Sequence, residues 1–373
     1  MKPMLPQRPP AKHPRWFSLA GLLAISWIPF TAVSGIADEP HRPAVLLQMI
    51  RDDAVHQELG LSRTQTDRLL AELVEIDARW WVARNLPDSE RRLQLERLTG
   101  QLRQRLRPIL RPGQGERLAE LERQALGTRM LLVEDVAEAL SLTATQRAGL
   151  SDTFRETDRV TAELAEPSRS GQSTETDPSR RISERQDQER QQIQATLSRS
   201  QRAQIATLIG EPFDFSRVKR TLPIAPEFAS GGAAWLQGKP TTLADLRGKV
   251  VAVHFYAFQC INCQRNFPHY QAWHRDYGEQ GLVIIGIQTP ETSAERNANR
   301  VAAAIKDDGF EYPILMDAES TNWNAWGNTM WPTVYLIDKQ GFIRRWWQGE
   351  LNWKGASGEQ QMRRTIEALL AES

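Results

Sequence analysis

The feature that most constrains this chain is the pair Cys260 and Cys263, its only two cysteines, in the sequence Cys260-Ile261-Asn262-Cys263. A β-branched and aromatic run at residues 250–256 precedes the pair and predicts a buried strand. Residues 264–277, which follow it, predict a helix. The pair therefore lies where a strand passes into a helix N-terminus, and the unpaired N–H groups and helix dipole at such a place stabilise an anion.

A cysteine in this position has a lowered pKa and is a usable nucleophile, and a second cysteine close by can resolve a mixed disulfide. Two other interpretations are open on the residues alone. The pair could be half of a zinc site, although no second Cys-x-x-Cys or His pair has the required spacing. It could be a structural disulfide, although so small a loop stabilises a fold little through chain entropy. We favour a redox-active dithiol that uses no metal and no other cofactor.

Length and composition limit the other possibilities. A chain of 373 residues with 40% hydrophobic and 25% charged residues predicts more than one globular domain. The net charge of +1 gives no support to nucleic-acid binding. Two cysteines in a chain of this length exclude a scaffold held together by disulfides.

The N-terminal residues 1–37 have the pattern of a signal peptide or an N-terminal membrane anchor. Residues 1–15 carry Lys and Arg and no acid, residues 16–33 are mostly apolar, and small residues follow. Pro29 and the small residues favour cleavage, and an uncleaved anchor is the alternative. Both alternatives place the remainder outside the cytoplasm, in the periplasm or secreted, because the positive charge precedes the apolar run.

Residues 38–210 predict an all-α region, because apolar residues recur there at helical spacing in a Leu-, Arg-, Glu- and Gln-rich sequence. Inside it we expect a flexible loop near residues 167–180, rich in Ser, Thr, Gly and Pro, and then a charged helix over residues 182–209. Residues 211–225 are a predicted linker.

A short pattern recurs in this helical region. It stands as Leu61-Ser62-Arg63-Thr64-Gln65, Leu142-Thr143-Ala144-Thr145-Gln146 and Leu197-Ser198-Arg199-Ser200-Gln201, with a degenerate copy at Leu110-Arg111-Pro112-Gly113-Gln114. Each clear copy predicts a capping box, and therefore a helix start. The pattern also resembles the L-T-x-x-Q motif of Spy/CpxP-like extracytoplasmic helical proteins. That resemblance implies antiparallel helices and leaves a chaperone-like activity as an option.

Residues 226–373 predict an α/β domain with helices on both faces of a sheet. Strand patterns at residues 250–256, 282–287, 334–337 and 342–347 alternate with or follow helical patterns at 264–277 and 294–307, and an amphipathic helix ends the chain.

This part of the chain resembles the thioredoxin-fold domains of TlpA/ResA-type proteins and, more narrowly, of DipZ-type proteins. The shared stretches are Trp235-Leu236, residues 243–251, Cys260-Ile261-Asn262-Cys263-Gln264-Arg265, residues 281–286, Thr289-Pro290-Glu291, residues 323–328 and Trp331-Pro332. The resemblance implies a thioredoxin-like mixed sheet. It also implies that Cys260 is the attacking thiol and Cys263 the resolving one. It makes Pro332 a cis-proline that faces the dithiol, with Trp331 and Thr333 beside it in the substrate-binding region.

Two departures from the family pattern affect the mechanism. His254 stands where the family has a buried acid, six residues before the first cysteine. It could relay a proton from Cys263, or it could be a neutral core residue with a backbone hydrogen-bond partner. DipZ-type proteins can also carry a membrane electron conduit in the same chain, and here we expect a separate membrane or extracytoplasmic protein to exchange the electrons.

The sequence thus predicts an extracytoplasmic thiol–disulfide oxidoreductase that acts on protein thiols and disulfides. A peroxidase is disfavoured, because Ala257 stands where a Thr or Ser would help to bind peroxide. The alternative is a chaperone-like or scaffolding protein in which the redox domain is accessory.

Overall fold

The computed structural model describes residues 40–169 and 178–372, which form two compact units. The first unit contains residues 119–216 and the described residues up to 43, and the second contains residues 44–118 and those from 217 onward. The predicted segments 38–210, 211–225 and 226–373 stay predictions. The predicted signal peptide or anchor, 1–37, lies outside the described residues. In the ranges that the structure describes, no helix has the length and apolar character needed to cross a membrane.

The first half of the chain is helical, as predicted. The helices are α1 Val45–Met49, α2 Asp53–Glu58, α3 Arg63–Ala83, α4 Asp88–Leu106, α5 Pro112–Leu126, α6 Glu134–Ala139, α7 Ala144–Arg169, α8 Pro178–Thr196 and α9 Arg199–Ile209, with a 3-10 turn at Gly127–Leu132. Residues 167–169 and 178–180 of the predicted loop belong to α7 and α8, and residues 170–177 lie outside the described ranges.

The prediction of a single helix over residues 182–209 was wrong, because the third copy of the short pattern ends α8 and starts α9. Ser198 caps α9, and its side chain accepts a hydrogen bond from the Gln201 N–H in a complete capping box. Ser62 caps α3 in the same way, and Thr143 and Gln146 exchange the corresponding two bonds, both 3.1 Å, before α7. A capping side chain satisfies the free N–H groups of one helix, so it starts a new helix even within a helical sequence.

The glutamines of the four repeats also pair two by two. In the second unit, Gln65 Nε2 donates to Gln114 Oε1 over 2.7 Å, so the degenerate copy has a structural role. In the first unit, Gln146 Nε2 donates to Gln201 Oε1 over 2.9 Å. Each pair joins the starts of two helices, in addition to the local cap.

The second unit contains a mixed sheet of six strands in the order β1-β4-β3-β2-β5-β6. The strands are β1 Ala233–Gln237, β2 Val250–Tyr256, β3 Leu282–Gln288, β4 Ile314–Asp317, β5 Thr333–Ile337 and β6 Ile343–Gln348. The helices among and after them are α10 Ile261–Tyr277, α11 Ala298–Asp307, α12 Thr321–Ala325 and α13 Gly358–Ala371. Strands β2, β3 and β4 are parallel, and the pairs β1/β4, β2/β5 and β5/β6 are antiparallel.

Every residue of β2 is buried, which accounts for a sequence that is almost continuously apolar rather than alternating, with His254 as the exception. On one face of the sheet, α10, α11 and α13 pack on the alternate residues of β2 and β3 in a single core cluster. On the other face, Trp81 of α3 packs edge-on against Tyr335 and Trp346, with ring centroids 5.9 and 6.0 Å away. The early helices of the second unit therefore complete the core of the sheet.

Buried charges join these early helices to the chain that enters the sheet. Arg51 and Asp77 are fully buried and form two hydrogen bonds, of 2.5 and 3.0 Å. The Asp77 carboxylate also accepts the Ile224 N–H over 2.8 Å. A bidentate, fully bonded pair such as this one fixes geometry, and it is costly to break because the remaining charge cannot reach water.

The variant Asp77→Ala is therefore expected to lower the free energy of unfolding by about 3–5 kcal/mol, because it leaves the Arg51 guanidinium buried and uncompensated. Urea denaturation followed by tryptophan fluorescence measures the change. The exposed Asp67 on the same helix supplies the control, and Asp67→Ala should change stability by less than about 0.5 kcal/mol. A loss below about 1 kcal/mol in Asp77→Ala would contradict this role.

Candidate active site

Cys260 is the N-cap residue of α10, with extended backbone angles of φ −79° and ψ 109°. Its carbonyl accepts the N–H groups of Cys263 and Gln264 over 3.0 and 3.1 Å, which begins the helix. The Cys260 side chain is partly exposed, whereas Cys263 is fully buried one turn into the helix. Both thiols are free in this structure. The predicted dithiol is thus held at the helix N-terminus with only its first sulfur accessible.

The two thiols have opposite pKa shifts. The Cys263 thiol donates a hydrogen bond to the Cys260 sulfur, and with the N–H groups of Cys263 and Asn262 it lowers the pKa of Cys260 to about 7. The Glu291 carboxylate and partial burial oppose this shift. Burial, chiefly, raises the pKa of Cys263. At neutral pH about half of the exposed sulfur is therefore ionised, and the buried sulfur keeps its proton.

A buried carboxylate that the sequence analysis missed shapes the loop before Cys260. Glu295 is fully buried and accepts the Gln259 N–H over 2.8 Å. Its second oxygen accepts the N–H groups of Glu291 and Thr292 over 2.8 and 2.9 Å. The motif Thr292-Ser293-Ala294-Glu295 is a capping box, and that pattern could have identified Glu295 from the sequence.

The sheet brings the predicted substrate-binding residues to the same end as the dithiol. Phe255 of β2 is the register partner of Thr333 of β5, so the residues just before Thr333 lie beside the loop that leads to Cys260. Cys260 and Trp331 both pack against the core cluster under α10. The Trp331–Pro332 peptide bond is cis, which confirms the predicted conformation of that bond.

Trp331 is held by its ring, and its backbone is left available. The ring stacks on Trp323 with centroids 3.9 Å apart, and its Nε1 donates to the Thr289 carbonyl over 3.2 Å. Among the residues that the structure describes, the backbone N–H and carbonyl of Trp331 make no hydrogen bond. Thr333 is buried, and its hydroxyl donates to the Met330 carbonyl over 2.7 Å. An extended peptide could pair with Trp331 as with an edge strand.

His254 lies in the core below the dithiol. Its ring stacks on Tyr270 at 4.3 Å between centroids and lies 5.2 Å from the ring of Tyr256. Neither ring nitrogen finds a hydrogen-bond partner within residues 40–169 and 178–372, so the backbone partner expected for a neutral core histidine is absent. Burial lowers the pKa of His254 to about 3, so the imidazole is neutral at pH 7.

Comparison with known proteins agrees with this geometry. Residues 224–346 match the AhpC/TSA family. The C-terminal part of the chain has a thioredoxin-like fold with a mixed sheet. Protein DipZ of Mycobacterium bovis is 40% identical to it over 133 residues, which cover 34% of this chain and 19% of DipZ. The chain thus spans about a fifth of the length of that relative.

Two further proteins are similar to the thioredoxin-fold domain. Thiol-disulfide oxidoreductase ResA of Geobacillus thermodenitrificans is 31% identical over 123 residues, which cover 32% of this chain and 65% of ResA. Among solved structures, a thiol:disulfide interchange protein of the thioredoxin family from Chlorobium tepidum covers 39% of this chain and 95% of its own, at 24% identity and a TM-score of 0.32.

The pKa of Cys260 is expected to respond in opposite directions to two substitutions. Cys263→Ala should raise it, because the substitution removes the thiol hydrogen bond that is the largest cause of the lowered pKa, and Glu291→Gln should lower it, because a nearby negative charge is removed. The pH dependence of iodoacetamide alkylation gives each value, with a midpoint of about 7 expected for the native protein. A native midpoint near 9, or no change in Cys263→Ala, would contradict the described hydrogen bond.

Proposed function

We propose that the protein is an extracytoplasmic thiol–disulfide oxidoreductase that exchanges disulfides with protein substrates through Cys260 and Cys263. The observation that carries the proposal is the unequal state of the two sulfurs at the start of α10. Cys260 is accessible and has a pKa of about 7, and Cys263 is buried with a raised pKa. This difference supports Cys260 as the attacking sulfur and Cys263 as the resolving sulfur.

The reaction proceeds by two exchanges. The Cys260 thiolate attacks one sulfur of a substrate disulfide, the S–S bond breaks, and the other substrate sulfur leaves as a thiolate. Cys263 then loses its proton and attacks the Cys260 sulfur, which forms the Cys260–Cys263 disulfide and releases the second substrate sulfur as a thiolate. The substrate gains two electrons and the dithiol loses two. Oxidation of a substrate dithiol is the reverse sequence.

Trp331 and Pro332 supply the substrate-binding region in this proposal. The unpaired backbone of Trp331 suits an extended segment of a protein substrate, which main-chain hydrogen bonds would align with the Cys260 sulfur. Thr333 fixes the turn before β5 through its bond to Met330. A peroxide substrate suits the site less well, because Ala257 has no hydroxyl group to hold it.

His254 is proposed to pass on the proton that Cys263 releases. Tyr270 stacks on His254 and belongs with Tyr256 and Cys263 to one buried cluster, which supports a role for the imidazole close to the buried sulfur. A neutral imidazole has one donor and one acceptor nitrogen, and it can take a proton at one and release another. Because burial disfavours the imidazolium, the transfer would be concerted and leave no charge on the ring.

The partners follow from this chemistry. The substrates are protein thiols or disulfides, and a separate membrane or extracytoplasmic protein resets the dithiol after each turnover. The predicted signal or anchor at residues 1–37 supports an extracytoplasmic location, and an uncleaved segment would attach the protein to the membrane by its N-terminus. No nucleic acid takes part.

Substitution of each cysteine should have a different effect. Cys260→Ser is expected to lose insulin disulfide reduction by at least about 10³-fold, because the nucleophile is removed. Cys263→Ser should form the mixed disulfide but fail to release it, so mass spectrometry should detect a trapped adduct on Cys260. If Cys260→Ser kept the biological activity, the redox assignment would be rejected and the chaperone-like binding role would replace it.

The relay role of His254 is tested by His254→Phe, which keeps an aromatic ring in the core. Resolution of the mixed disulfide is expected to slow by at least about tenfold, because a positioned proton carrier typically contributes 10²–10⁴-fold. Stopped-flow fluorescence measures the resolution rate as a function of pH. Tyr256→Phe, which keeps the ring and removes the hydroxyl, tests whether the Tyr256 hydroxyl takes part in the proton transfer. An unchanged rate and pH profile in His254→Phe would show that His254 only fills the core.

A further inference from the structure

The C-terminal end of α3 holds the loop that leads to Trp331. Arg84, the residue that ends the helix, donates from Nη2 to the carbonyls of Trp326 and Gly327 over 2.9 and 2.7 Å. The next residue, Asn85, donates from Nδ2 to the same Gly327 carbonyl over 2.7 Å. Two consecutive side chains of the helical segment thus bind consecutive carbonyls at the start of this loop, residues 326–332. All of these residues belong to the second unit.

The Arg84 side chain is itself fixed on several sides. Its guanidinium lies 3.9 Å from the ring centroid of Trp81 and donates to the Trp81 carbonyl over 2.7 Å. It also donates to the Tyr335 hydroxyl over 3.2 Å. That hydroxyl in turn donates to Asn328 Oδ1 over 2.5 Å. Tyr335 of β5 therefore links the Arg84 guanidinium to Asn328 of the loop.

Gly327 is the residue that permits this close approach. Its φ of +58° is a conformation that other residues rarely adopt. A Cβ atom there would lie 3.0 Å from Arg84 Nη1 and 3.2 Å from Asn85 Nδ2, which is tighter than ordinary contact. The loop and the helix end thus fit each other in shape as well as in hydrogen bonding.

The position of the loop matters for the proposed reaction, because the loop ends in Trp331. Thr333 already belongs to β5, so one end of the loop is fixed by the sheet and the other by Arg84. The α3 helix is in turn held through Asp77 to Arg51 and Ile224. Residues outside the thioredoxin-fold domain thus set the placement of the substrate-binding backbone.

We infer that Arg84 is a positioning residue for protein substrates, which holds residues 326–332 so that the Trp331 backbone can pair with an extended peptide. The inference rests on the proposed function. Arg84 touches neither sulfur in the described contacts, so its loss should weaken substrate binding and leave the thiol chemistry unchanged. The helical segment that carries it is then part of the substrate-recognition apparatus of the redox domain.

The test compares two disulfide probes on the full chain. Insulin has a polypeptide backbone that can pair with Trp331, and hydroxyethyl disulfide has none. In Arg84→Met, KM for insulin is expected to rise about tenfold, equivalent to about 1.4 kcal/mol, with kcat unchanged within about twofold. The rate with hydroxyethyl disulfide and the alkylation midpoint of Cys260 should stay at native values. Arg84→Lys should raise KM for insulin by less than Arg84→Met does, because lysine keeps the positive charge and hydrogen-bond donors but lacks the planar guanidinium group.

Arg79 provides the matched control, since it lies on the same helix and bonds to Gln101 rather than to the loop. Arg79→Met should leave both probes unaffected. An unchanged KM for insulin in folded Arg84→Met would overturn the inference. A parallel fall in kcat, in the hydroxyethyl disulfide rate and in Cys260 ionisation would also overturn it, because that pattern reports general damage to the site.

Two further outcomes are distinguishable. If Arg84→Met fails to fold, Asn85→Ala makes the same comparison with the loss of one bond to Gly327, and it should give a smaller rise in KM for insulin; no rise would reject the inference. If the native protein reduces neither probe, the proposed function itself fails and the inference falls with it. If the native protein is active and KM for insulin is unchanged in Arg84→Met, only the inference is rejected and the proposed function stands.

Discussion

The hydrogen bond from the Cys263 thiol to the Cys260 sulfur is the interaction on which the site depends. It is the largest cause of the lowered Cys260 pKa, and it requires Cys263 to keep its proton, which the burial of that sulfur favours. A helix that begins at Cys260 produces this arrangement, because a spacing of three residues places Cys263 one turn further in, against the core. The fully buried strand β2 and the Glu295 carboxylate fix where that helix begins.

The second unit surrounds this pair with parts of the chain that are far apart in sequence. Helices from residues 44–118 cover one face of the sheet and bind its entry segment through Asp77, while α10, α11 and α13 cover the other. The same early helices reach the loop before Trp331 through Arg84. The helical segment thus contributes to both the stability and the shape of the redox domain. A function that resides in the thioredoxin-fold domain does not make the rest of this unit accessory.

Much of the fold and of the dithiol geometry could be predicted, and the failures have physical reasons. The β2 strand, the start of α10 near Cys260 and the cis bond at Pro332 follow from local pattern and from the family resemblance. The unpartnered state of His254 depends on which rings surround it, and no local pattern records that. Arg84 and Asp77 looked like ordinary residues of a charged helix, because the bonds that join them to the thioredoxin-fold part, to Trp326 and to Ile224, reach residues more than 140 positions away along the chain. The break in the helix at Ser198 was predictable from its capping box, which outweighs the helical pattern around it.

The reduction potential of the Cys260/Cys263 couple tests the central claim most directly. Equilibration of the full chain with glutathione or dithiothreitol buffers, followed by thiol trapping and mass spectrometry, gives the fraction oxidised at each potential. The account predicts a reversible two-electron transition between about −270 and −120 mV, the range of thioredoxin-fold oxidants and reductants, and its position shows the direction of exchange. A midpoint below about −300 mV, as in structural disulfides, or no disulfide between these two cysteines at any potential, would contradict the account.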